Sequence, residues 1–132
     1  MHKLDSARNK LVAIISSYSG RLMSDSKWVK VFECITAIKD SNRTASAKLV
    51  WDDEVRALNI DDSLQFGLDY YETSMESMLS GYPKGFYDYK ELEWVEFHSS
   101  DENLDAIEKS LYKLGQFELE RTASGVKLFA YQ

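Results

Sequence analysis

Phe117-Glu118-Leu119-Glu120-Arg121-Thr122-Ala123-Ser124-Gly125-Val126-Lys127-Leu128-Phe129-Ala130 is the stretch whose reading decides the fold. Two runs suited to strands, 117–121 and 126–130, flank Thr122-Ala123-Ser124-Gly125, whose small polar residues and glycine favour a tight turn. The pattern predicts a C-terminal β-hairpin, with Gly125 placed to supply a positive φ.

Working back from the hairpin, Leu104, Ile107, Leu111 and Leu114 recur at helical spacing. They predict a helix over about 101–114, opened by Ser100 or Asp101 and closed by Gly115. Before it, Leu92 to Phe97 is rich in branched and aromatic residues and predicts a strand over about 90–97. Leu92 and Trp94 share one parity there while Val95 and Phe97 share the other, so a bulge near Trp94, or burial on both faces, is required. Toward the N-terminus, Leu4, Ala7, Leu11, Ile14, Ile15 and Tyr18 make an amphipathic helix over about 4–18. Trp28, Val31, Phe32, Ile35 and Ile38 make a second over about 26–39, which Ser24 or Asp25 can cap. Strands are expected over about 47–51, 55–60 and 64–70, with a turn or bulge at Asp52-Asp53 and a helical turn near Met75, Met78 and Leu79. Gly81-Tyr82-Pro83-Lys84-Gly85 reads as loop. The sum is an α+β fold, a single domain over 1–132 with an antiparallel sheet, about three helices and the terminal hairpin. A chain of 132 residues with 44% hydrophobic content can bury a core without staples.

The single Cys34 excludes an internal disulfide, and its place in an apolar helical pattern reads as a packed small side chain. No run is long and apolar enough to span a bilayer, and the first residues turn polar too early for a secretory signal. A cytoplasmic protein without membrane association is therefore expected.

Charge is unevenly placed. Residues 1–60 carry 10 basic and 7 acidic groups, residues 61–102 carry 2 and 11, and residues 103–132 carry 4 of each. An acidic middle third repels phosphate backbones, so nucleic acid is not expected as a partner, whereas a basic protein is attracted. Acidity that serves solubility alone would look the same.

Catalytic parts are few. Of the two histidines, His98 can share a strand face with Glu96, but a metal site needs several converging ligands, and none is expected. Cys34 with His98 is a weak nucleophile–base pair, because Cys34 reads as facing inward. Glu91 and Glu93, with Asp88 near, read as the wet side of a strand rather than as an acid–base pair set across a cleft. The glycines form no dinucleotide or phosphate loop, and no cofactor is expected. A small-molecule or enzymatic domain using His98 with nearby carboxylates stays as an alternative, as does a regulatory or adaptor subunit. Trp28 and Trp94, each inside an apolar pattern, are assigned to the core.

The denser signal is aromatic. Tyr70, Tyr71, Tyr82, Tyr87 and Tyr89, five of the eight tyrosines, fall within twenty residues among acidic side chains. Tyrosine presents a rigid contact area with a polar tip, and carboxylates around it steer and pair with basic groups. The candidate partner interface is Asp69, Tyr70, Tyr71, Glu72, Glu76, Tyr82, Tyr87, Asp88, Tyr89, Glu91 and Glu93. The same rings can instead cover the sheet edge and complete the core.

Three stretches carry a resemblance: Met23-Ser24-Asp25-Ser26-Lys27-Trp28, Tyr89-Lys90-Glu91-Leu92-Glu93-Trp94-Val95-Glu96, and Phe117-Glu118-Leu119-Glu120 with Gly125 and Phe129-Ala130-Tyr131. In order and separation, over residues 5–131, the chain resembles a little-characterised family of small bacterial proteins similar to immunity proteins of toxin–immunity systems, such as contact-dependent inhibition or polymorphic toxins. A glycine often stands in that family where Ala130 is here, and its middle region varies. The resemblance implies a scaffold more than a contact surface, and no catalytic residues. It also implies a partner: a cognate toxin, commonly a nuclease, whose basic active surface an acidic inhibitor would occupy.

Overall fold

The computed structural model describes the backbone of residues 3–38, 44–59, 74–76 and 86–132, and the side chains of 9–38, 45–58 and 87–132. Along the chain come α1 (Lys3–Ser16), α2 (Asp25–Ala37), β1 (Thr44–Leu49), β2 (Val55–Asn59), β3 (Ser74–Glu76), β4 (Phe86–Asp88), a 3₁₀ turn (Tyr89–Glu91), β5 (Leu92–His98), α3 (Asp101–Leu114), β6 (Glu118–Arg121) and β7 (Gly125–Phe129). Five strands form one antiparallel sheet in the order β2-β1-β5-β7-β6, and β3 pairs with β4 separately. The α+β class, the three helices and the C-terminal strand pair are as the sequence predicts.

Helix α2 starts where Ser24 accepts a hydrogen bond from the Lys27 N–H at 3.2 Å, satisfying one of the free donors of the first turn. Its stripe of Trp28, Val31, Phe32 and Ile35 is buried. Helix α3 buries Leu104, Ile107 and Leu111. Both stripes join one core with Ala45, Ala47, Leu49, Leu58, Leu92, Val95, Phe97, Val126, Leu128 and Ala130, the inner face of the sheet. Phe32 and Tyr89 meet there with ring centroids 5.9 Å apart, and Trp28 stacks on Phe32 at 5.6 Å.

The parity conflict in β5 resolves through a bulge. Lys48 stands opposite Trp94, and the next residue, Leu49, stands opposite Leu92, so Glu93 is the extra residue. Leu92 points inward before the bulge, and Val95 and Phe97 point inward after it. Trp94 is thereby turned to the outer face, where it is half-buried under the Lys127 ammonium, 4.0 Å from its ring centroid. This corrects its assignment to the core; Trp28, fully buried, keeps its own. Leu114 also departs from the inward stripe: α3 stops at this residue, and it is exposed.

Gly125 is required, but for a different reason from the expected one. Its φ lies outside the left-handed region, and a Cβ built on it would stand 2.6 Å from the Phe97 carbonyl oxygen and 2.9 Å from Glu96 Cγ. The hairpin turn instead closes through Thr122, whose N–H donates to the Gly125 carbonyl at 2.9 Å and whose hydroxyl donates to Glu96.

Helix α1 relates to the sheet differently from the other two. Just beyond its end, Tyr18 stacks on Tyr131 with centroids 4.8 Å apart and donates its hydroxyl to Glu93. Glu93 also pairs with Lys48 at 3.2 Å, and Lys48 alternates with the buried Ala47 and Leu49. The chain just beyond α1 therefore reaches Glu93 and Lys48 on the outer face of the sheet, while Leu11, Ile14, Ile15 and Tyr18 pack, partly buried, against the core cluster. Met75 lies in β3, not in a helical turn; Met78, Leu79, the expected strand over 64–70 and the 81–85 loop lie outside the described residues.

Candidate functional site

Strand β1 ends at Leu49, and the chain turns through Val50 to Glu54 into β2. Two local contacts shape this turn. The Asp52 N–H donates to the Leu49 carbonyl at 3.2 Å, and the Glu54 N–H donates to Asp52 Oδ1 at 3.1 Å, the aspartate folding the chain back on itself. The turn is tied to the 3₁₀ segment before β5 by the Val50 N–H, which donates to the Glu91 carbonyl at 2.8 Å. Sheet pairing thus places the Trp51-Asp52-Asp53-Glu54 turn beside Asp88 and Glu91.

Trp51 is 39% exposed, yet its orientation is set. Its Nε1–H donates to Glu91 Oε1 at 3.0 Å, while Glu91 Oε2 accepts the Asp88 N–H at 2.7 Å. Burial pushes the Glu91 carboxyl above its ordinary range, an effect that the two N–H donors oppose. On the other side of Trp51 lies Arg56, which is buried. Its Nε and Nη2 donate to Asp52 Oδ2 at 2.9 and 2.8 Å, and its Nη1 donates to the Tyr87 hydroxyl at 3.0 Å. The guanidinium carbon lies 5.4 Å from the ring centroids of both Trp51 and Tyr87, which themselves stack at 6.3 Å. A buried charge must be paired, and Arg56 is paired on several sides at once. The Glu54 N–H and then Arg56 hold the Asp52 carboxyl below its usual value.

The result is a fixed indole at the surface with carboxylates around it. Asp53, Glu54 and Asp88 are exposed, and Asp53 and Glu54 form no ion pair among the described residues. The ion pair of Asp88 with Lys90 is a long one, 3.9 Å. Such a collar can seat an arginine or lysine against the indole by cation–π attraction and neutralise it with the acids.

The eleven residues expected at an interface separate into groups. Asp88 and Glu91 belong to this collar. Tyr87 is 5% exposed and Tyr89 is fully buried, which corrects their expected place on the surface. Their rings complete the core, Tyr87 against Arg56 and Tyr89 against Phe32, because the pairing of β4 and the following 3₁₀ turn aims both inward. Glu93 lies in the bulge on the outer face, held by Tyr18 and Lys48. Glu76 has a backbone place in β3 opposite Phe86, with its side chain outside the described residues. Asp69, Tyr70, Tyr71, Glu72 and Tyr82 lie wholly outside them.

The reading of the sequence did not single out Trp51, Asp53 and Glu54, which the structure brings to this collar. The signal was an indole followed at once by three acids: a strand that ends in such a run cannot bury all of it, so the ring at its end stays at the surface.

His98 and Glu96 do share the outer face, as expected, but each is engaged elsewhere. His98 Nε2 is 2.9 Å from the Ser46 hydroxyl, and Glu96 accepts from Thr122. Cys34 is half-buried on α2, and burial raises its thiol. Among the described residues no group of three or more His, Cys, Asp or Glu side chains is placed to hold a metal ion, and no helix is long and apolar enough to cross a membrane. A hollow of about 570 Å³ lies along α3 against Glu102, Asp105, Glu108, Lys109 and Tyr112, and one helix supplies all its walls.

Comparison of the chain with protein-family models, with curated proteins and with solved structures gives no match.

Proposed function

We propose that the chain is a non-catalytic protein-binding module, an immunity protein that neutralises a basic toxin by holding it against the acidic collar around Trp51. The observation that supports this is the exposed indole pinned by Glu91 among exposed carboxylates. A rigid aromatic anchor costs little conformational entropy on binding, and fixed acids beside it select a cationic partner. A nuclease fits this chemistry, since a surface built to attract phosphate is basic. In this reading the toxin presents an arginine or lysine to the face of Trp51, and its remaining basic groups lie over Asp53, Glu54 and Asp88.

The test is co-expression with the toxin candidate encoded beside this chain, followed by co-purification, a growth-rescue assay and measured binding. The expected outcome is rescue by the wild-type chain and binding that weakens as salt rises. Trp51→Ala should weaken it by on the order of thirtyfold, as for a central aromatic anchor. Growth rescue and binding that survive unchanged in a Trp51→Ala/Asp88→Lys/Glu91→Lys variant overturn this surface. A neighbour that neither binds nor is neutralised overturns the toxin assignment.

A further inference from the structure

Among the described residues the five-stranded sheet has two borders, β2 and β6. β6 is hydrogen-bonded to β7 on one side, and among the described residues no strand lies on the other. Two observations fix which of its backbone groups face outward. The Thr122 N–H donates to the Gly125 carbonyl, so these residues form a close pair at the turn. Alternation along the hairpin then makes Glu120–Lys127 and Glu118–Phe129 the hydrogen-bonded pairs. Independently, the Ala130 N–H donates to the Glu93 carbonyl, so Ala130, Leu128 and Val126 turn their backbone toward β5, leaving Phe129 and Lys127 to serve β6. Leu119 and Arg121 therefore direct their N–H and C=O groups away from the sheet.

An open border with unpaired peptide groups is a template for one more strand, and proteins guard such borders with charge. Here the guards are Glu118 and Glu120, both exposed and without an ion pair among the described residues. Lys127, opposite Glu120, is engaged with the rings of Trp94 and Phe129. Arg121 is occupied with Asp101, Asp105 and Glu108 of α3, which ties down the C-terminal end of the strand. Two-fold pairing with a second copy must set outward residues against outward residues. Centred on Leu119 it places Glu118 opposite Glu120 of the other copy, and centred on Glu120 it places that residue opposite itself. Like charges directly opposite are unfavourable, so the border rejects its own kind. The same geometry favours a strand with cations at alternate positions.

We infer that β6 is a docking border for an extended, basic segment of a partner protein. The segment adds as a sixth strand, bonds to the peptide groups of Leu119 and Arg121, and lays lysines or arginines over Glu118 and Glu120. This surface is separate from the Trp51 collar and does not depend on the toxin assignment.

The experiment follows amide hydrogen exchange by NMR in the intact chain, with the ten-residue peptides (Lys-Val)5 and (Glu-Val)5 as probes. With (Lys-Val)5 at millimolar concentration, exchange at Leu119 and Arg121 should slow by on the order of tenfold, against little change at amides already in the sheet. (Glu-Val)5 should leave both amides unprotected, and Glu118→Lys/Glu120→Lys should reverse the preference between the peptides. Trp51→Ala should leave the protection intact, which separates this inference from the proposed function. Absence of protection at the two amides, equal protection by both peptides, or protection that rises with protein concentration alone each overturns it; the last would mean pairing between copies.

Discussion

A single methyl group separates Gly125 from alanine, and the surrounding chain has no room for it. The nearest atom is the backbone oxygen of Phe97, inside the β5–β7 ladder, which cannot step aside as the end of a side chain can. Gly125→Ala should cost about 1–3 kcal/mol through forced displacement of that strand pair, measured as a lowered urea midpoint. Gly20→Ala is the internal comparison: its nearest neighbour is the end of the Gln132 side chain, so the cost should be small. The sequence marked Gly125 as necessary but for a positive φ that it does not have, because a turn motif reports local conformation while the obstacle lies some thirty residues away. Tyr87 and Tyr89 teach the same lesson. Their clustering was plain to see, but the side to which each ring turns depends on strand and 3₁₀ geometry that composition does not encode.

Between elements, the join of α1 to the sheet rests on few contacts and is therefore open to measurement. Burial first, and then the hydrogen bond to Glu93, raise the Tyr18 phenol from 10.0 to about 12. The folded state holds this proton more tightly than the unfolded one. The resulting stabilisation is complete below the unfolded value of 10.0 and is lost as pH rises through about 12. A carbon-13 NMR titration of labelled tyrosine should find Tyr18 close to that upper value. In Glu93→Gln the midpoint should fall but stay above 10.0, since burial persists. At this scale the sequence was most informative: the three helices, the parity break in Leu92–Phe97 and the terminal hairpin were all readable from periodicity. It was least informative about faces, and Trp94 shows why. One extra residue turns the indole outward, and nothing in the local pattern says on which side of Trp94 the bulge falls.

For the whole molecule, stability depends on a core shared by α2, α3 and the inner face of the sheet, with Phe32 at its centre between Trp28 and Tyr89. Phe32→Ala should cost about 3–5 kcal/mol, with the near-ultraviolet tryptophan signal and the far-ultraviolet signal lost in one transition. The acidic middle third was legible as a charge imbalance. The collar it helps to form was not, because Trp51 and Asp88 are distant in sequence and meet only through the pairing of β1 with β5. Strand order carries one more consequence. β5 is the middle rail of the sheet, yet it follows α1, α2, β1 and β2 in the chain. As the polypeptide leaves the ribosome, Trp28, Val31, Phe32 and Ala47 are made before the strand that gives them a common floor. Until Leu92–His98 emerges, Trp28 and Phe32 have each other and β1 has β2, but the strand on which both groups settle is missing, which makes this interval of synthesis the one in which a chaperone has the most to shield.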